Sequence, residues 1–496
     1  MDFTDISLQI ATPDSVNVER MLSELTPKLQ DIVQRFRKGM PTPEVTFSFE
    51  TELEACCREG CRALVEAEYS DIEPAAFEDS PVRMRLAGEE YKRRPKSPNE
   101  IGTLFGPIRL ERYRYEAFER GERGIFPLEM HLGIEAGLAT PALAERIGLQ
   151  SADLTQQQVL DWLERDHGIK WSTPSLRKLT ASLSEGLSAF RQAAQEQKIL
   201  ELLKKAEKST GPHQPVLVVG RDGVMVPMRH GVNQEASTAT VYVMDRRGKR
   251  VGTVYLGQMP ESGQGTLSDQ LTSLLTGVLT KWNGRPLRYV YVTDAGHHPQ
   301  EYYRTVLMKM ADPKRPGHRV EWQWIVDFWH ACCYLTKLRE GLFGESSAGW
   351  KWFKRVRHWL RRRKLGVADV LRSATQHWNL AKNLDATRAE LFWEGYDYLR
   401  KYAPQMAYAR YQRQGKPIGS GVTEAACKIV ITERMKQSGM SWQVEGGQVI
   451  LELRVLKLSG VWREAFRSYQ RSRPLPQSSR PGSQRHRSSQ ILKIAA

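Results

Sequence analysis

Residues 215–223 read PVLVVGRDG, a short β-branched run that ends in an arginine, an acid and a glycine. This composition predicts a buried strand, with Asp222 placed at its end. Two more strands are predicted at 239–245 and 251–256, and the turn between them makes an antiparallel hairpin. The stretch therefore opens a mixed sheet with an acid at its edge.

The elements that follow define the fold class. A helix opens at Thr266, a fourth strand at 288–293 ends at Asp294, and after a further helix a fifth strand spans 320–326. Three antiparallel strands followed by helix, strand, helix, strand and helix are the order of an α/β ribonuclease-H-like catalytic core with a mixed five-stranded sheet. Ligands in such sheets bind at strand ends, so Asp222 and Asp294 are expected to lie side by side.

The remaining segments surround this core. TLFGPIRLERYRYEAF at 103–118 alternates apolar and charged residues about a Gly-Pro break, which predicts a β-hairpin. Thr155 is a suitable cap for one helix, and Ser172 or Thr173 with Pro174 for a second that follows a short turn, although any helical hairpin would show the same pattern. The expected organisation is an α+β N-terminal region at 1–135, a helical, helix-turn-helix-like DNA-binding region at 136–205, the first part of the core at 206–335, a helical basic insertion at 336–414, the second part of the core at 415–468, and a disordered basic tail at 469–496.

The charge of the chain is uneven. Lys and Arg number 73 against 57 Asp and Glu, and segments 351–364 and 470–496 hold most of the +16 surplus without an acid. Concentrated positive charge indicates a polyanion such as double-stranded DNA as partner. The alternative is a solvated helix face with a flexible tail. The basic residues of the insertion expected to contact DNA are Lys351, Lys354, Arg355, Arg357, Arg361, Arg362 and Arg363.

Other classes of protein are disfavoured. The sequence has no run of 18 apolar residues, and its acidic start lacks the apolar segment of a signal peptide. The six cysteines show no C-x-x-C zinc spacing, so reduced thiols are expected. These features predict a cytoplasmic, nucleoid-associated protein without a membrane partner.

Three acids fit phosphodiester chemistry. Asp222 and Asp294 are followed by small residues, and Glu424 lies in the first turn of a helix after the glycine-rich segment 415–421. Carboxylates from separate elements can hold two Mg²⁺ ions, for which Mn²⁺ is expected to substitute. Individually, an Asp before Gly is more often a turn residue, and a Glu in a first turn often serves the helix dipole.

Several segments resemble the Kra-type insertion-sequence DDE transposases, which are related to the Mutator-like group. They are TLFGPIRLERYRY, FPLEMHLGI, VVGRDGV, YVTDAGHHP, VDFWHACCYL and IGSGVTEAACKIVITERMKQSGMSW, within residues 100–460. The resemblance implies a transposase that binds terminal inverted repeats, cleaves at transposon ends and transfers strands into target DNA as a homodimer or larger assembly. It also implies that Asp222, Asp294 and Glu424 form the triad, and that Asp327 and His330 match a D-x-x-H motif. The cysteine-bearing insert of some relatives is missing, so no zinc is implied.

Some assignments stay open. Asp327 and His330 orient DNA or a triad acid, or form a structural pair. Arg434, Lys436 and Trp442 are candidates for gripping phosphates and stacking on a base, with Trp442 as core residue the alternative. A structure-specific nuclease of the same fold and a non-catalytic DNA-binding protein are the alternative functions. A transposase with an H-x-H metal site is set aside, because His297 and His298 would point to opposite faces of a strand.

Overall fold

The computed structural model of the protein describes residues 16–117, 124–380 and 385–478. These residues form two units. Unit 1 contains the described residues up to 150, residues 155–183 and the described residues from 469, and unit 2 contains residues 151–154 and 184–468. In the part of the chain that the structure describes, no helix is both long enough and apolar enough to cross a membrane.

Unit 1 combines helices with an antiparallel sheet. Its elements are α1 (Val16–Arg37), α2 (Pro43–Ile72), β1 (Arg83–Leu86), β2 (Glu89–Thr103), β3 (Gly106–Ala117), α3 (Pro127–His131), α4 (Pro141–Ser151), α5 (Gln156–His167), the start of α6 (Thr173–Lys208), the end of α17 (Trp462–Ser472) and β9 (Gln477–Ser478). The strand order is β3-β2-β1-β9. Ile101, Ile108 and Leu110 of the sheet are buried together with Leu128 and Ile134.

The predicted hairpin at 103–118 is confirmed and is longer than expected. Thr103 pairs with Gly106 next to a two-residue turn, and the ladder continues to the pair Tyr91 and Ala117. Gly106 has a φ of 126°, which a residue with a side chain rarely adopts. The Gly-Pro break in the sequence therefore marks the turn of the hairpin.

The two capped helices are also confirmed. Thr155 and Gln158 form a reciprocal capping box at the start of α5, and Gly168 ends the helix in the left-handed conformation with a φ of 65°. Ser172 Oγ accepts a hydrogen bond from the backbone N–H of Ser175 at the start of α6. Recognition of DNA by this hairpin stays a prediction.

The structure corrects the predicted tail. Residues 469–478 are ordered, because α17 continues to Ser472 and β9 pairs with β1. The Arg473 guanidinium donates hydrogen bonds to the carbonyl oxygens of Gly133 and Ile134, and it forms an ion pair with buried Glu135 at 3.3 Å. The composition of this segment, rich in serine, proline and arginine, predicted disorder because it does not reveal these partners, which are far away in sequence. The rest of the predicted tail lies outside the described residues.

Unit 2 is built on a mixed five-stranded sheet, as predicted. Its strands are β4 (Val216–Pro227), β5 (Asn233–Met244), β6 (Arg250–Gln258), β7 (Arg288–Thr293) and β8 (Trp322–Val326). The strand order is β6-β5-β4-β7-β8, in which β4, β5 and β6 pair antiparallel and β4, β7 and β8 pair parallel. The α/β class is therefore confirmed at the level of a mixed sheet with helices.

The helices of unit 2 precede, connect and follow the strands of its sheet. They are the rest of α6, α7 (Gly265–Lys281), α8 (His297–Thr305), α9 (Phe328–Phe343), α10 (Ser347–Arg362), α11 (Gly366–Leu380), α12 (Ala386–Lys401), α13 (Tyr408–Arg413), α14 (Gly421–Ala426), α15 (Glu433–Met435), α16 (Val444–Leu458) and the start of α17. A π-helical turn, Cys427–Thr432, joins α14 to α15. The predicted helical character of 336–414 is confirmed for its described residues. These helices are not separate, because Trp352, Val356 and Phe392 belong to the same buried cluster as the sheet.

Candidate active site

Two of the predicted acids are neighbours because of strand register. The parallel pairing of β4 and β7 ends with Gly220 opposite Val292. Asp222 and Asp294 each lie two residues further along, so alternation of side chains directs both to the face that Gly220 and Val292 share. The predicted end of the first strand is corrected, because β4 continues past Asp222 to Pro227. Its pairing with β7 stops at Gly220, and from there to Pro227 it pairs with β5.

Glu424 reaches the same place because α14 lies close against the sheet. A Cβ added to Gly220 would come within 1.9 Å of Thr423 Oγ1, so only glycine fits under this helix. Thr423 Oγ1 also lies 2.8 Å from Thr240 Oγ1 of β5. Thr423 is buried and Glu424, the next residue, is exposed in the first turn of α14.

The three carboxyl groups interact electrostatically. Burial raises the pKa of Asp222, and the nearby charges of Asp294 and Glu424 raise it further. The backbone N–H of Gly223 opposes this by donating a 2.8 Å hydrogen bond to Asp222 Oδ1. Like charges held together at one sheet edge are costly unless a cation or a proton compensates them.

Cys427 is a site residue that the sequence reading missed. Its thiol donates a hydrogen bond to the Asp222 carboxylate, and burial raises the pKa of Cys427, which keeps the thiol protonated. Cys427 lies three residues after Glu424, a spacing that puts both on one face of a helix. That spacing was the available signal. Cys427 also begins the π-helical turn, a distortion frequent at functional sites.

The turn that carries Asp294 is held by its own backbone and by α12. Asp294 Oδ1 accepts a 2.9 Å hydrogen bond from the backbone N–H of Gly296, and Ala295 between them has a φ of 67°. Tyr398 of α12 donates its hydroxyl proton to the carbonyl oxygen of Asp294 at 3.0 Å. A helix of the predicted insertion therefore positions the second acid.

Asp327 connects α9 to the segment that precedes Glu424. Its Oδ1 caps α9 by accepting from the backbone N–H of His330 at 2.7 Å, and its Oδ2 accepts from both the backbone N–H and the hydroxyl of Ser420. Asp327 is 3% exposed. The His330 ring packs against Tyr334 and Tyr398. Asp327 thus bonds to the backbone of His330 and to Ser420, and the role of the D-x-x-H residues stays a prediction.

The candidate DNA ligands after Glu424 differ in their placement. Lys436 is exposed, as expected. Arg434 is only 2% exposed, lies over the ring of Trp442 and has its pKa lowered to about 10 by burial, so its guanidinium is not at the surface, as the predicted phosphate contact requires. Trp442 packs in an apolar cluster and donates its indole N–H to the carbonyl of Met435. Trp329, which no motif singled out, is 60% exposed and lies beside Gly419.

The basic segment forms one face of α10. The opposite face buries Trp352, Phe353, Val356 and Leu360. The exposed basic side chains on this face, named here the α10 basic face, are Lys351, Lys354, Arg355, Arg357, Arg362 and Arg363. In the described part of the chain, Arg363 of this face forms an ion pair with Asp369 at 3.3 Å. Arg361 is half-buried and lies over the ring of Phe328, the residue after Asp327.

The described residues contain one group of three His, Cys, Asp or Glu side chains whose ligand atoms all lie within 4.8 Å of one another. It is formed by His297, His298 and Glu301 and not by the three acids. His297 and His298 begin helix α8 and do not lie on a strand. The expectation that they point to opposite faces of a strand is therefore wrong.

The three acids nevertheless fit hard divalent cations. Their donors are all carboxylate oxygens, Asp222 carries a raised pKa beside two other acids, and Glu424 is exposed. Two ions about 3.5–4 Å apart do not require all three carboxylates to touch one ion.

Comparisons with protein-family models and with curated proteins found no match for the chain.

Proposed function

We propose that the chain is the DNA transposase of an insertion sequence, with a ribonuclease-H-like core and Asp222, Asp294 and Glu424 as its catalytic acids. The observation that carries the proposal is that Asp222 and Asp294 lie on neighbouring chain segments of one sheet face, against which the helix of Glu424 packs, and that the charges of Asp294 and Glu424 both raise the pKa of Asp222. The motifs that resemble Kra-type transposases supply the reaction class, which is cleavage and transfer of DNA strands.

The side chains divide the work in this proposal. The three carboxylates hold Mg²⁺, which supplies activation of the attacking oxygen and stabilisation of the leaving oxygen. Cys427 orients Asp222, Tyr398 positions the turn of Asp294, and Asp327 holds the segment before Glu424. Gly296 adds no bulk beside Asp294, which lets a duplex backbone approach this acid.

Double-stranded DNA is the proposed partner. The α10 basic face supplies positive charge, and half-buried Arg361 of the same helix lies over the ring of Phe328. We assign base stacking to Trp329 and not to Trp442, because Trp329 is exposed beside Gly419 while Trp442 is packed. Stacking of this kind contributes about 1–3 kcal/mol per base. Assembly as a homodimer or larger oligomer, needed to join two ends, is part of the proposal.

The decisive experiment neutralises each acid with its isosteric amide. Asp222→Asn, Asp294→Asn and Glu424→Gln should each lower cleavage and strand transfer by more than about 100-fold, because losing a metal ligand costs more than losing its outer-shell partner. The substrate is labelled duplex from the DNA that flanks the gene, assayed with Mg²⁺ and with Mn²⁺. Binding of the duplex should persist in all three variants.

Glu445→Gln is the matched control, because Glu445 is exposed on α16. Glu433 is less suitable, since it lies 3.6 Å from buried Arg454. Full activity in the three triad variants would reject the proposal and leave a DNA-binding protein. Cleavage without strand transfer in the unsubstituted chain would instead identify a nuclease.

A second measurement tests the basic face. Replacing Lys354, Arg357 and Arg362 by glutamine should reduce the slope of log K against log salt by about 0.9 for each lost phosphate contact. Glutamine at Arg20, an exposed basic residue of α1 in unit 1, is the control. An unchanged slope would remove α10 from the DNA-binding surface.

A further inference from the structure

The cluster formed by His297, His298 and Glu301 arises from the spacing of these residues on α8. Glu301 lies four residues after His297 and three after His298, so both histidines are its neighbours on the helix surface. The two imidazole rings are 5.2 Å apart between centroids and nearly perpendicular, at 85°. One helical turn therefore brings together two ring nitrogens and a carboxylate oxygen within 4.8 Å of one another.

His298 has an unused polar atom at this place. Its Nδ1 is buried without a hydrogen-bond partner in the described structure. Buried polar atoms normally have a partner, so an unsatisfied imidazole nitrogen requires an explanation. His298 also lines a polar pocket together with Glu235, Glu261 and Gln264. Carboxylates in the wall of a pocket favour a cation inside it.

This pocket lies on the other side of the sheet from Asp222. Glu235 is paired with Met225, so it shares a face with Gly223, which alternates with Asp222. Consistently, a Cβ on Gly223 would collide with Glu235 Oε1 at 1.8 Å. Buried Arg221, on that same face, donates to Gln264 of the pocket wall at 2.9 Å. The His–Glu cluster and the three acids are therefore two distinct groups of ligands.

We propose that His297, His298 and Glu301 bind a divalent transition-metal ion of the Zn²⁺ class. Neutral imidazole suits Zn²⁺, Ni²⁺ and Cu²⁺, whereas Mg²⁺ prefers an all-oxygen set such as the three acids. In a tetrahedral zinc site with bonds of about 2.0–2.1 Å, ligand atoms are separated by about 3.4 Å. The ligand atoms, which lie within 4.8 Å of one another, must approach to this separation by side-chain rotation when the ion binds. Three protein ligands leave one position for water or another donor.

The test is calorimetric titration of the full-length chain with Zn²⁺ alone, after removal of bound metals by a chelator. The background carries Cys56→Ser, Cys57→Ser and Cys61→Ser, because thiols at helical spacing also bind zinc. His298→Ala and Glu301→Gln should each weaken zinc binding by at least about tenfold, the lower end of the loss caused by an outer-shell change. Millimolar Mg²⁺ should not displace the zinc.

Two controls separate this site from other sources of binding. His358→Ala removes an exposed histidine of α10, and Asp294→Asn changes the acid site, and both should bind zinc as the background does. Glu301 is exposed, so Glu301→Gln keeps the test valid even where His298→Ala does not fold. X-ray absorption of the zinc-loaded chain should show imidazole ligands. Unchanged binding in His298→Ala and Glu301→Gln, or loss only in Asp294→Asn, would overturn the proposal, which does not depend on the proposed transposase activity.

Discussion

Gly220→Ala tests how closely α14 must approach the sheet. The added Cβ would lie 1.9 Å from Thr423 Oγ1 and 3.1 Å from Thr423 Cβ, whereas real Cβ contacts are at least 3.0 Å. The helix that carries Glu424 must therefore move by about 1 Å. Gly220 does not have a positive φ, so the backbone itself accepts alanine. We expect a loss of about 1–3 kcal/mol in the free energy of unfolding, as for other overpacked cores.

The same displacement should reduce catalysis under the proposed function. A misplacement of about 1 Å in a catalytic group can lower the rate by about 100-fold. Stability is measured by denaturant unfolding and activity by cleavage of labelled duplex. The stability measurement is informative even if the chain proves to have no such activity.

Thr423→Ala supplies the matched rescue. Alone it loses the contact with Thr240, which costs about 1 kcal/mol. Combined with Gly220→Ala it removes the colliding oxygen, so the double variant should be more stable than the sum of the single losses by about 1–2 kcal/mol. Additive losses, or a Gly220→Ala variant as stable and active as the parent, would refute the close-approach argument.

Three further predictions concern other parts of the structure. Asp327→Asn should lower the free energy of unfolding by about 3 kcal/mol in denaturant titration, because the new amide N–H would face the N–H and hydroxyl donors of Ser420. His330→Ala should cost much less, because the backbone N–H of residue 330, and not its ring, bonds to Asp327. Burial lowers the pKa of Lys416 from 10.5 to about 8, so between these pH values the folded chain binds fewer protons than the unfolded chain. The free energy of unfolding should therefore rise with pH across this window. A difference in stability between the parent and Lys416→Met that does not change with pH would contradict this prediction. Thermal unfolding of unit 1 should have a lower midpoint after truncation at residue 472 than after truncation at residue 478, because only the shorter chain loses Arg473 from buried Glu135.

Local signals in the sequence predicted the strands, the helices and the positions of the three acids. β-branched runs defined β4 and β7, and the Gly-Pro break located the turn of the β2–β3 hairpin. Thr155 and Gly168 marked the two ends of α5. These features depend on backbone propensity and side-chain periodicity over a few residues, which explains why a sequence reveals them.

The errors occurred where partners are distant in sequence. Arg434 resembles a DNA ligand beside Glu424, yet it is enclosed by Trp442 and the carbonyl of Ser151, 283 residues away. Arg473 belongs to a segment with a disordered composition, but Glu135 and the backbone near it hold this residue in place. Burial is a property of the packed chain, so a charged residue looks alike in sequence whether it is exposed or enclosed.

The sequence by itself determined which acids lie in or next to strands, where helices begin and where positive charge accumulates, because these depend on neighbours along the chain. Only the tertiary structure decided that Cys427 donates to Asp222, that Tyr398 supports Asp294, and that Gly220 makes room for Thr423. Each of these contacts joins elements that are brought together by burial of the shared core. The positions of the carboxylates are thus local in origin, and their mutual orientation depends on how the helices pack against the sheet.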